Sequence, residues 1–205
     1  MRRAVEARGI RYLVHFTRFE NLQSILVSGL KPRSVLELEQ SPTIYNDAFR
    51  GDDRKWANCL SIDHPNYKMF YSLRMNTVNQ HWVVVVFKPS ILWELDCLFT
   101  TENAATNAMS SKSDEELSGV QAFESMFLEV EGKASRSTVG LHPYEPTNPQ
   151  AEVLVSNTIP PSYVLGVATQ SSSLAELISR NHSGFMAEVF HPFFSGRRDY
   201  GNWNG

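Results

Sequence analysis

Residues 148–155 read Asn-Pro-Gln-Ala-Glu-Val-Leu-Val and join a proline-marked loop directly to an apolar segment. Pro149 ends any regular element before it and biases Asn148 toward an extended backbone. The apolar residues 153–155 predict a buried strand. Glu152 lies at the junction, where a carboxylate is costly to desolvate unless it has a partner or a task. We therefore hypothesise that Glu152 is the catalytic acid of the protein.

The composition is that of a globular chain with a sizeable core. The 205 residues are 42% hydrophobic and 20% charged, which predicts one domain over residues 1–205. A net charge of −3 argues against non-specific coating of duplex DNA but is compatible with a local basic groove. Cys59 and Cys97 lack metal-ligand spacing and predict two reduced thiols, with no metal site.

The sequence contains neither a signal peptide nor a membrane span. The first eleven residues are charged and lack an apolar core, and the longest apolar run, 82–87, is too short to cross a bilayer. We expect a soluble, cytoplasmic protein with no membrane partner.

The first third of the chain predicts a strand followed by a helix. Tyr12–Phe16 has strand composition, and the sequence from Thr17 to Glu20 has the form of a capping box. Apolar residues then recur at helical spacing until Gly29, a typical C′ glycine. Residues 33–58 are polar and irregular and predict a long functional loop.

The remaining elements are short and do not alternate regularly between strand and helix. Strands are predicted over 59–62, 81–88, 152–156, 163–168 and 186–190, and helices over 67–73, 89–95, 120–130 and 174–181. This pattern indicates an α+β fold with short helices and long loops over a mixed or antiparallel sheet. The chain has no glycine-rich phosphate loop, which excludes Rossmann and P-loop folds.

Several motifs together resemble a known enzyme family. His15-Phe16-Thr17, a helix and then Gly29-Leu30 resemble the opening of the ADP-ribosyltransferase fold. More specific are the motifs N-D-A-F-R-G-D at 46–52, C-L-S-I at 59–62, P-N-Y-K-M-F-Y at 65–71 and P-Q-A-E-V-L-V at 149–155. They resemble the DarT family of toxins, which attach ADP-ribose to bases of single-stranded DNA. The tail over 193–203 is similar to that of the guanine-modifying branch, which we favour over the thymine-modifying one.

This resemblance implies NAD⁺ as co-substrate and a role for each matching residue. Glu152 would stabilise positive charge on the ribose and accept a proton from the attacking base. Arg50 would act in catalysis or on the pyrophosphate, with Arg54 as the alternative if the register of the loop differs. Residues implied at the NAD⁺ site are His15, Thr17, Asn21, Met69 and Tyr71.

The loop before Glu152 is implied to face the acceptor base. An aromatic ring can stack on a splayed base and an amide can read its edge, which suits single-stranded DNA. The DNA-contacting residues implied here are His142, Tyr144, Asn148, Arg54 and Arg197. A DNA-modifying toxin also implies a partner, an antitoxin that removes ADP-ribose from DNA.

Other interpretations remain open from the residues alone. His15 is compatible with a structural role, Thr17 with an N-cap, and Tyr71 with the core. An NAD⁺-dependent RNA 2′-phosphotransferase also begins with H-x-T and has Gly-Leu after its first helix. Protein ADP-ribosylation and non-catalytic nucleotide or nucleic-acid binding are further alternatives.

Overall fold

A seven-stranded mixed sheet forms the centre of the molecule. The computed structural model describes residues 1–45, 54–77 and 80–203, and the element counts refer to these ranges. The strands are β1 (Leu13–Arg18), β2 (Ala57–Ile62), β3 (Trp82–Phe87), β4 (Cys97–Thr100), β5 (Glu152–Ser156), β6 (Val164–Thr169) and β7 (Met186–Val189). Their order is β4-β5-β2-β1-β3-β6-β7, and β6 and β7 form its parallel pair. The predicted α+β class with a mixed sheet is confirmed.

Short helices connect and cover the strands. They are α1 (Arg2–Arg8), α2 (Phe19–Ser28), α3 (Arg33–Leu38), α4 (Tyr67–Met75), α5 (Ile91–Glu94), α6 (Asn107–Ser110), α7 (Gly119–Ser125) and α8 (Ser172–Asn181). Helix α3 begins where the sequence predicts only loop, and β4 was not predicted. Within the described ranges no helix exceeds ten residues, and none has the length and hydropathy of a membrane span.

The sheet is split between β1 and β2. Strand β1 pairs with β3 along its whole length, but it pairs with β2 only through Leu13 with Ile62 and Val14 with Ser61. Beyond these two pairs the strands diverge, and β2 continues along β5. The sheet therefore has two halves, β4-β5-β2 and β1-β3-β6-β7, joined at one end and separated by a gap at the other.

Both faces of the central strand β3 are buried. Val83 and Val85 pack in the larger apolar cluster, which includes α2 and β5 residues, whereas Val84 packs in a smaller cluster with Phe70 and Trp82. Alternate residues of a strand point to opposite faces, so a continuous valine run buries both. This explains the uninterrupted apolar sequence.

The predicted capping box at Thr17 is wrong. Strand β1 continues through Arg18 because Thr17 still pairs with Val83, and α2 begins at Phe19 without a side-chain cap. The Thr17 hydroxyl instead accepts a hydrogen bond from Asn21 Nδ2 at 3.1 Å. Its side chain is thereby turned toward the gap in the sheet rather than toward the helix end.

Gly29 ends α2, as the sequence predicts. Its backbone has φ +90° and ψ 167°, a region that is essentially restricted to glycine. A Cβ at this position would lie 2.5 Å from the Ile159 carbonyl oxygen. The close approach allows Leu30 and Ile159 to form an antiparallel bridge, which holds the end of α2 against the segment after β5.

Candidate active site

A cleft of about 220 Å³ opens in the gap between β1 and β2. In a continuous sheet these two strands would be joined by backbone hydrogen bonds along their whole length. Because they diverge, their unpaired residues face the cleft. Side chains and backbone from β1, α2, β2, the start of α4 and the loop after β4 line the cleft. The predicted site residues among its lining are His15, Thr17, Asn21, Met69 and Glu152.

Glu152 is fixed at the wall of this cleft. It is the first residue of β5, and only 8% of its surface is exposed. Its Oε2 accepts a hydrogen bond from the Ala104 backbone N–H at 2.9 Å. Thr100 Oγ1 lies 3.2 Å from its backbone nitrogen and 3.3 Å from its carbonyl oxygen. These contacts hold the carboxylate in a defined orientation. They also supply hydrogen bonds that offset the hydration which the carboxylate loses when it is buried.

His15 bridges the two halves of the sheet. Its Nδ1 lies 2.9 Å from the Cys59 carbonyl oxygen on β2. A carbonyl oxygen only accepts, so Nδ1 carries a proton and a neutral ring presents Nε2 as its acceptor. The ring is thereby oriented at the edge of the cleft.

Asn21 connects strand β1 to the segment around Ile44 at the edge of the cleft. Besides its bond to Thr17, its Nδ2 donates to the Ile44 carbonyl oxygen at 2.8 Å, and its Oδ1 accepts from the Ile44 N–H at 3.0 Å. The carboxamide therefore docks the segment around Ile44 onto α2. Asn21 lines the cleft while it also determines the shape of its rim.

Helix α4 contributes Met69 but not Tyr71. The Asn66 side chain caps the helix by accepting from the Met69 N–H at 3.2 Å, and both residues line the cleft. Tyr71 is 59% exposed and is not among the lining residues, because the buried face of the helix carries Tyr67 and Phe70. The structure thus does not support nicotinamide stacking on Tyr71, and Met69 is the α4 side chain at the cleft.

The two candidate arginines of the long loop differ. Arg50 lies outside the described residues. Arg54 is 7% exposed, and it donates from Nε to Asp114 at 3.2 Å and from Nη2 to the Lys112 carbonyl oxygen at 2.7 Å. These contacts tie the start of β2 to the loop after α6, so the structure does not support Arg54 as a DNA contact.

The predicted acceptor residues make local contacts in the loop that precedes Glu152. His142 and Tyr144 stack on each other with ring centroids 5.0 Å apart. Asn148 accepts from the Gln150 N–H at 2.9 Å, which is ordinary turn chemistry. None of the three is among the cleft residues that the described ranges contain.

Arg197 has a structural role instead of the predicted contact with DNA. It is 5% exposed, and it donates to both carboxylate oxygens of Asp199 at 2.7 and 2.6 Å. Its remaining donors reach the carbonyl oxygens of Pro146 and Thr147 at 2.7 and 2.9 Å. The guanidinium is therefore engaged in anchoring the C-terminal tail to the loop that precedes Glu152.

The loop after β4 was missed by sequence reasoning. Residues 103–105 line the cleft, and Ala104 supplies the backbone donor to Glu152. No side-chain signal marks this contribution, because it depends on β4 pairing with β5, where Thr100 lies opposite Glu152. Among residues 1–45, 54–77 and 80–203, no cluster of three His, Cys, Asp or Glu side chains is arranged to hold a metal ion.

The split sheet, with an H-x-T strand and a buried glutamate lining one cleft, defines an ADP-ribosyltransferase-like fold. The family model described as "ssDNA thymidine ADP-ribosyltransferase, DarT" matches residues 14–190, which is most of the chain. The protein therefore belongs to the DarT family.

Solved structures of this family share the fold at low sequence identity. Thermosipho africanus DarTG in complex with ADP-ribose superposes with a TM-score of 0.66 and 17% identity over 90% of this chain. Thermus sp. 2.9 DarT in complex with ADP-ribosylated single-stranded DNA gives a TM-score of 0.60 and 17% identity, over 91% of this chain and 97% of that one. The same Thermus protein in complex with NAD⁺ gives a TM-score of 0.57 and 17% identity, over 90% of this chain and 98% of that one.

Coverage differs between these relatives. The chain spans about half the length of the Thermosipho DarTG chain, with 51% covered. A search of curated proteins returned no significant match.

Proposed function

We propose that this protein transfers a single ADP-ribose from NAD⁺ to a base of single-stranded DNA. Membership of the DarT family supports the reaction class. The Thermus structures with NAD⁺ and with ADP-ribosylated DNA support the choice of co-substrate and acceptor. The observation that carries the proposal is the buried Glu152 carboxylate, which is oriented by Ala104 at the wall of the cleft.

The cleft suits one end of a dinucleotide. Its volume of about 220 Å³ is below the ~300 Å³ at which pockets for whole drug-sized ligands begin. We therefore assign the enclosed part to the nicotinamide and its ribose. His15 Nε2 and the Thr17 hydroxyl would bind ribose hydroxyls or the carboxamide, with Met69 against the nicotinamide ring.

The phosphates would lie toward the entrance. Arg50 remains the residue that the family motif assigns to the pyrophosphate or to the reacting base. Lys31 and Arg33 are the cationic side chains in the described lining of the cleft, and they pair with Glu39 and Glu37 respectively. Each cation is less exposed than the glutamate that it pairs with, so a pyrophosphate would have to compete with Glu39 and Glu37 for these two side chains.

Glu152 would act when the bond between nicotinamide and ribose breaks. The bonding electron pair leaves with nicotinamide, and positive charge develops at the ribose carbon. A carboxylate held beside that carbon stabilises the charge without reorganising. As the exocyclic amine of the base forms the new C–N bond, Glu152 can accept the proton that the amine loses.

Guanine is the base that we propose as acceptor. The tail over 193–203 and the motifs around 46–71 support this choice through their likeness to the guanine-modifying branch. Thymine is the alternative, and the description of the matching family model names thymidine. Oligonucleotides that contain guanine or thymine as their single candidate base distinguish the two.

We further propose that the protein is a cytoplasmic toxin with a cognate antitoxin that removes ADP-ribose from DNA. The family resemblance and the existence of a DarTG structure support this pairing. Residues 1–205 would form one domain, because the first and last described strands belong to the same sheet. Co-expression with such a hydrolase should restore growth to cells that the protein arrests.

Transfer of labelled ADP-ribose tests the main proposal. We expect label from NAD⁺ on single-stranded DNA that survives protease digestion. Label on protein or RNA instead would favour the alternative transferases, and transfer of the phosphate of a 2′-phosphorylated RNA to the ADP-ribose part of NAD⁺ would identify the phosphotransferase. NAD⁺ binding without transfer to any acceptor would leave a non-catalytic nucleotide binder.

Glu152→Gln tests the assigned residue. The amide is isosteric, and its oxygen can still accept from Ala104, so the fold should be retained. We expect transfer to fall more than ~10-fold, since smaller losses correspond to less than about 1.4 kcal/mol of barrier. Retention of transfer within that limit, in a variant that still binds NAD⁺, would exclude Glu152 from catalysis.

A further inference from the structure

Two arginines and three aromatic rings form a continuous surface next to the closed end of the split sheet. We call the set Arg11, Tyr12, His142, Tyr144 and Arg198 the arginine–aromatic platform. The Arg11 guanidinium carbon lies 4.9 Å from the Tyr144 ring centroid and 5.3 Å from that of Tyr12. Tyr144 stacks on His142 with an interplanar angle of 27°, and His142 Nε2 accepts from Arg198 Nη1 at 2.9 Å. The order along the surface is therefore Tyr12, Arg11, Tyr144, His142 and Arg198.

The solvent-facing charge of the platform is positive although each arginine has an acidic partner. The Arg11 side chain is 58% exposed, whereas that of its partner Asp63 is 12% exposed. The Arg198 side chain is 45% exposed, whereas that of its partner Glu145 is 3% exposed. The carboxylates lie beneath the guanidinium groups, which leaves the cations at the surface. Burial raises the pKa of Tyr12 to about 12, so its phenol adds no negative charge at neutral pH.

Hydrogen bonds from Arg136 and Glu145 fix the backbone of the loop that carries His142 and Tyr144. Arg136 donates to the His142 carbonyl oxygen and to that of Glu145, each at 2.8 Å. The Glu145 carboxylate in turn accepts from the His142 N–H at 2.6 Å. A surface that is ordered before binding loses less conformational entropy when a ligand binds.

The platform is also continuous with the cleft. Tyr12 precedes the cleft residue Val14 by two positions, and Val14 pairs with Ser61 of β2, whose neighbour Leu60 pairs with Val153 next to Glu152. Two strand residues correspond to roughly 7 Å. The loop that carries Tyr144 runs on into Glu152. A ligand that reaches Glu152 with one unit can therefore contact the platform with its neighbours.

We propose that the platform binds the nucleotides that flank the modified base in single-stranded DNA. The exposed His142 ring, which lies on Tyr144 with one face, stacks with a base of any sequence, and the two exposed guanidinium groups contact phosphates. The inference rests on the proposed function, and it adds Arg11, Tyr12 and Arg198 to the residues that contact the substrate strand. It further implies that affinity for DNA depends on nucleotides outside the cleft.

Arg11→Gln, with Arg3→Gln as the matched control, tests this contact. Both arginines are exposed and belong to the same N-terminal segment, but Arg3 lies outside the platform. We expect Arg11→Gln to raise the KM for a long oligonucleotide several-fold and to lower the salt dependence of log KM by about 0.7 per lost phosphate contact. The KM for a mononucleotide, which has no flanking nucleotides, and the thermal shift with NAD⁺ should not change. Arg3→Gln should behave as the wild type.

Tyr144→Leu provides a second variant that keeps the apolar packing but removes the ring. It should raise the KM for the long oligonucleotide several-fold, because Arg11 and His142 lose the ring on which both of them lie. An unchanged KM and salt dependence in Arg11→Gln, or an equal effect on the mononucleotide, would overturn the platform. If the wild type modifies no oligonucleotide of any length, the proposed function itself fails, which is a distinct result.

Discussion

Individual polar residues in this protein owe their position to one or two partners. Glu152 shows this most clearly, because the sequence identifies the acid but not the Ala104 N–H that orients it. Asn21 is a second example, since its carboxamide joins Thr17 on β1 to both backbone groups of Ile44. Such residues line the cleft and also make hydrogen bonds that hold the structure around it.

Asn21→Ala should therefore affect both stability and binding. Loss of three hydrogen bonds at the partly buried rim is expected to lower the free energy of unfolding by about 1–3 kcal/mol. Because segment 41–45 is then no longer docked on α2, the Kd for NAD⁺ should rise as well. Urea unfolding and titration with NAD⁺ measure the two effects. Gln23→Ala, an exposed amide on the same helix, is the control, and equal results for both variants would contradict the assigned role of Asn21.

The elements around the cleft are held by close contacts at their ends. The junction after α2 depends on Gly29, where the backbone approaches Ile159 and bridges to it through Leu30. Leu30 also accepts a hydrogen bond from Asn58 on β2 at 3.1 Å. One glycine thus connects α2, β2 and the segment after β5.

Gly29→Ala should be clearly more destabilising than Gly9→Ala. Both residues have positive φ, but a Cβ at Gly9 would have open space around it, whereas at Gly29 it would lie 2.5 Å from a carbonyl oxygen. We expect a loss of about 1 kcal/mol at Gly9 from backbone conformation alone. The loss at Gly29 should be at least ~2 kcal/mol, since its bridge must also open. Similar urea midpoints for the two variants would contradict this difference.

The C-terminal tail links two walls of the cleft. Asp199 accepts from Arg197 and from Trp203 Nε1, the latter at 2.9 Å, and the Trp203 carbonyl oxygen accepts from Lys68 on α4 at 2.7 Å. Arg197 binds the loop that leads to Glu152. The tail therefore holds helix α4 and the approach to β5 in a fixed relation.

Asp199→Asn should release the tail. The Arg197–Asp199 pair is almost fully buried, with side-chain exposures of 4% and 0%, so removing one charge leaves the other uncompensated. A loss of about 3–5 kcal/mol is expected from such a change. Glu6→Gln, which breaks the Arg2–Glu6 pair whose side chains are 69% and 54% exposed, should cost much less, because both groups are hydrated. Chemical denaturation measures the free energy of unfolding of both variants. Equal losses would contradict a larger contribution from the buried Arg197–Asp199 pair.

At the scale of the whole molecule, the two halves of the sheet meet at few positions. Strands β1 and β2 share two residue pairs, and the His15–Cys59 contact adds one more bridge. A ligand in the cleft touches both halves and should stabilise the folded state by adding contacts across the gap.

NAD⁺ should therefore raise the melting temperature measurably. At a concentration 100 times its Kd, the ligand stabilises the folded state by about 2.7 kcal/mol, which corresponds to roughly 5–10 °C for a chain of this size. Glu152→Gln should retain most of the shift, because it alters charge but not shape. Differential scanning fluorimetry tests this, and a wild type that shows no shift with NAD⁺ would contradict binding in the cleft.

The sequence by itself determined the elements whose signals are local. The strand over 81–88 and the helix end at Gly29 are predicted from patterns within a few residues, and the structure confirms them. The family motifs likewise indicate the fold, and they single out His15 and Glu152, which both line the cleft. Apolar periodicity and backbone conformation depend on neighbouring residues, so they can be read from the chain.

Only the tertiary structure decided which of these residues meet. Thr17 is a strand residue because β3 pairs alongside it, Tyr71 faces solvent because α4 buries its opposite side, and Arg197 is occupied by Asp199 and the carbonyl groups of a distant loop. Strand pairing and burial join residues far apart in the sequence, and the free energy of each contact depends on partners that no local pattern specifies.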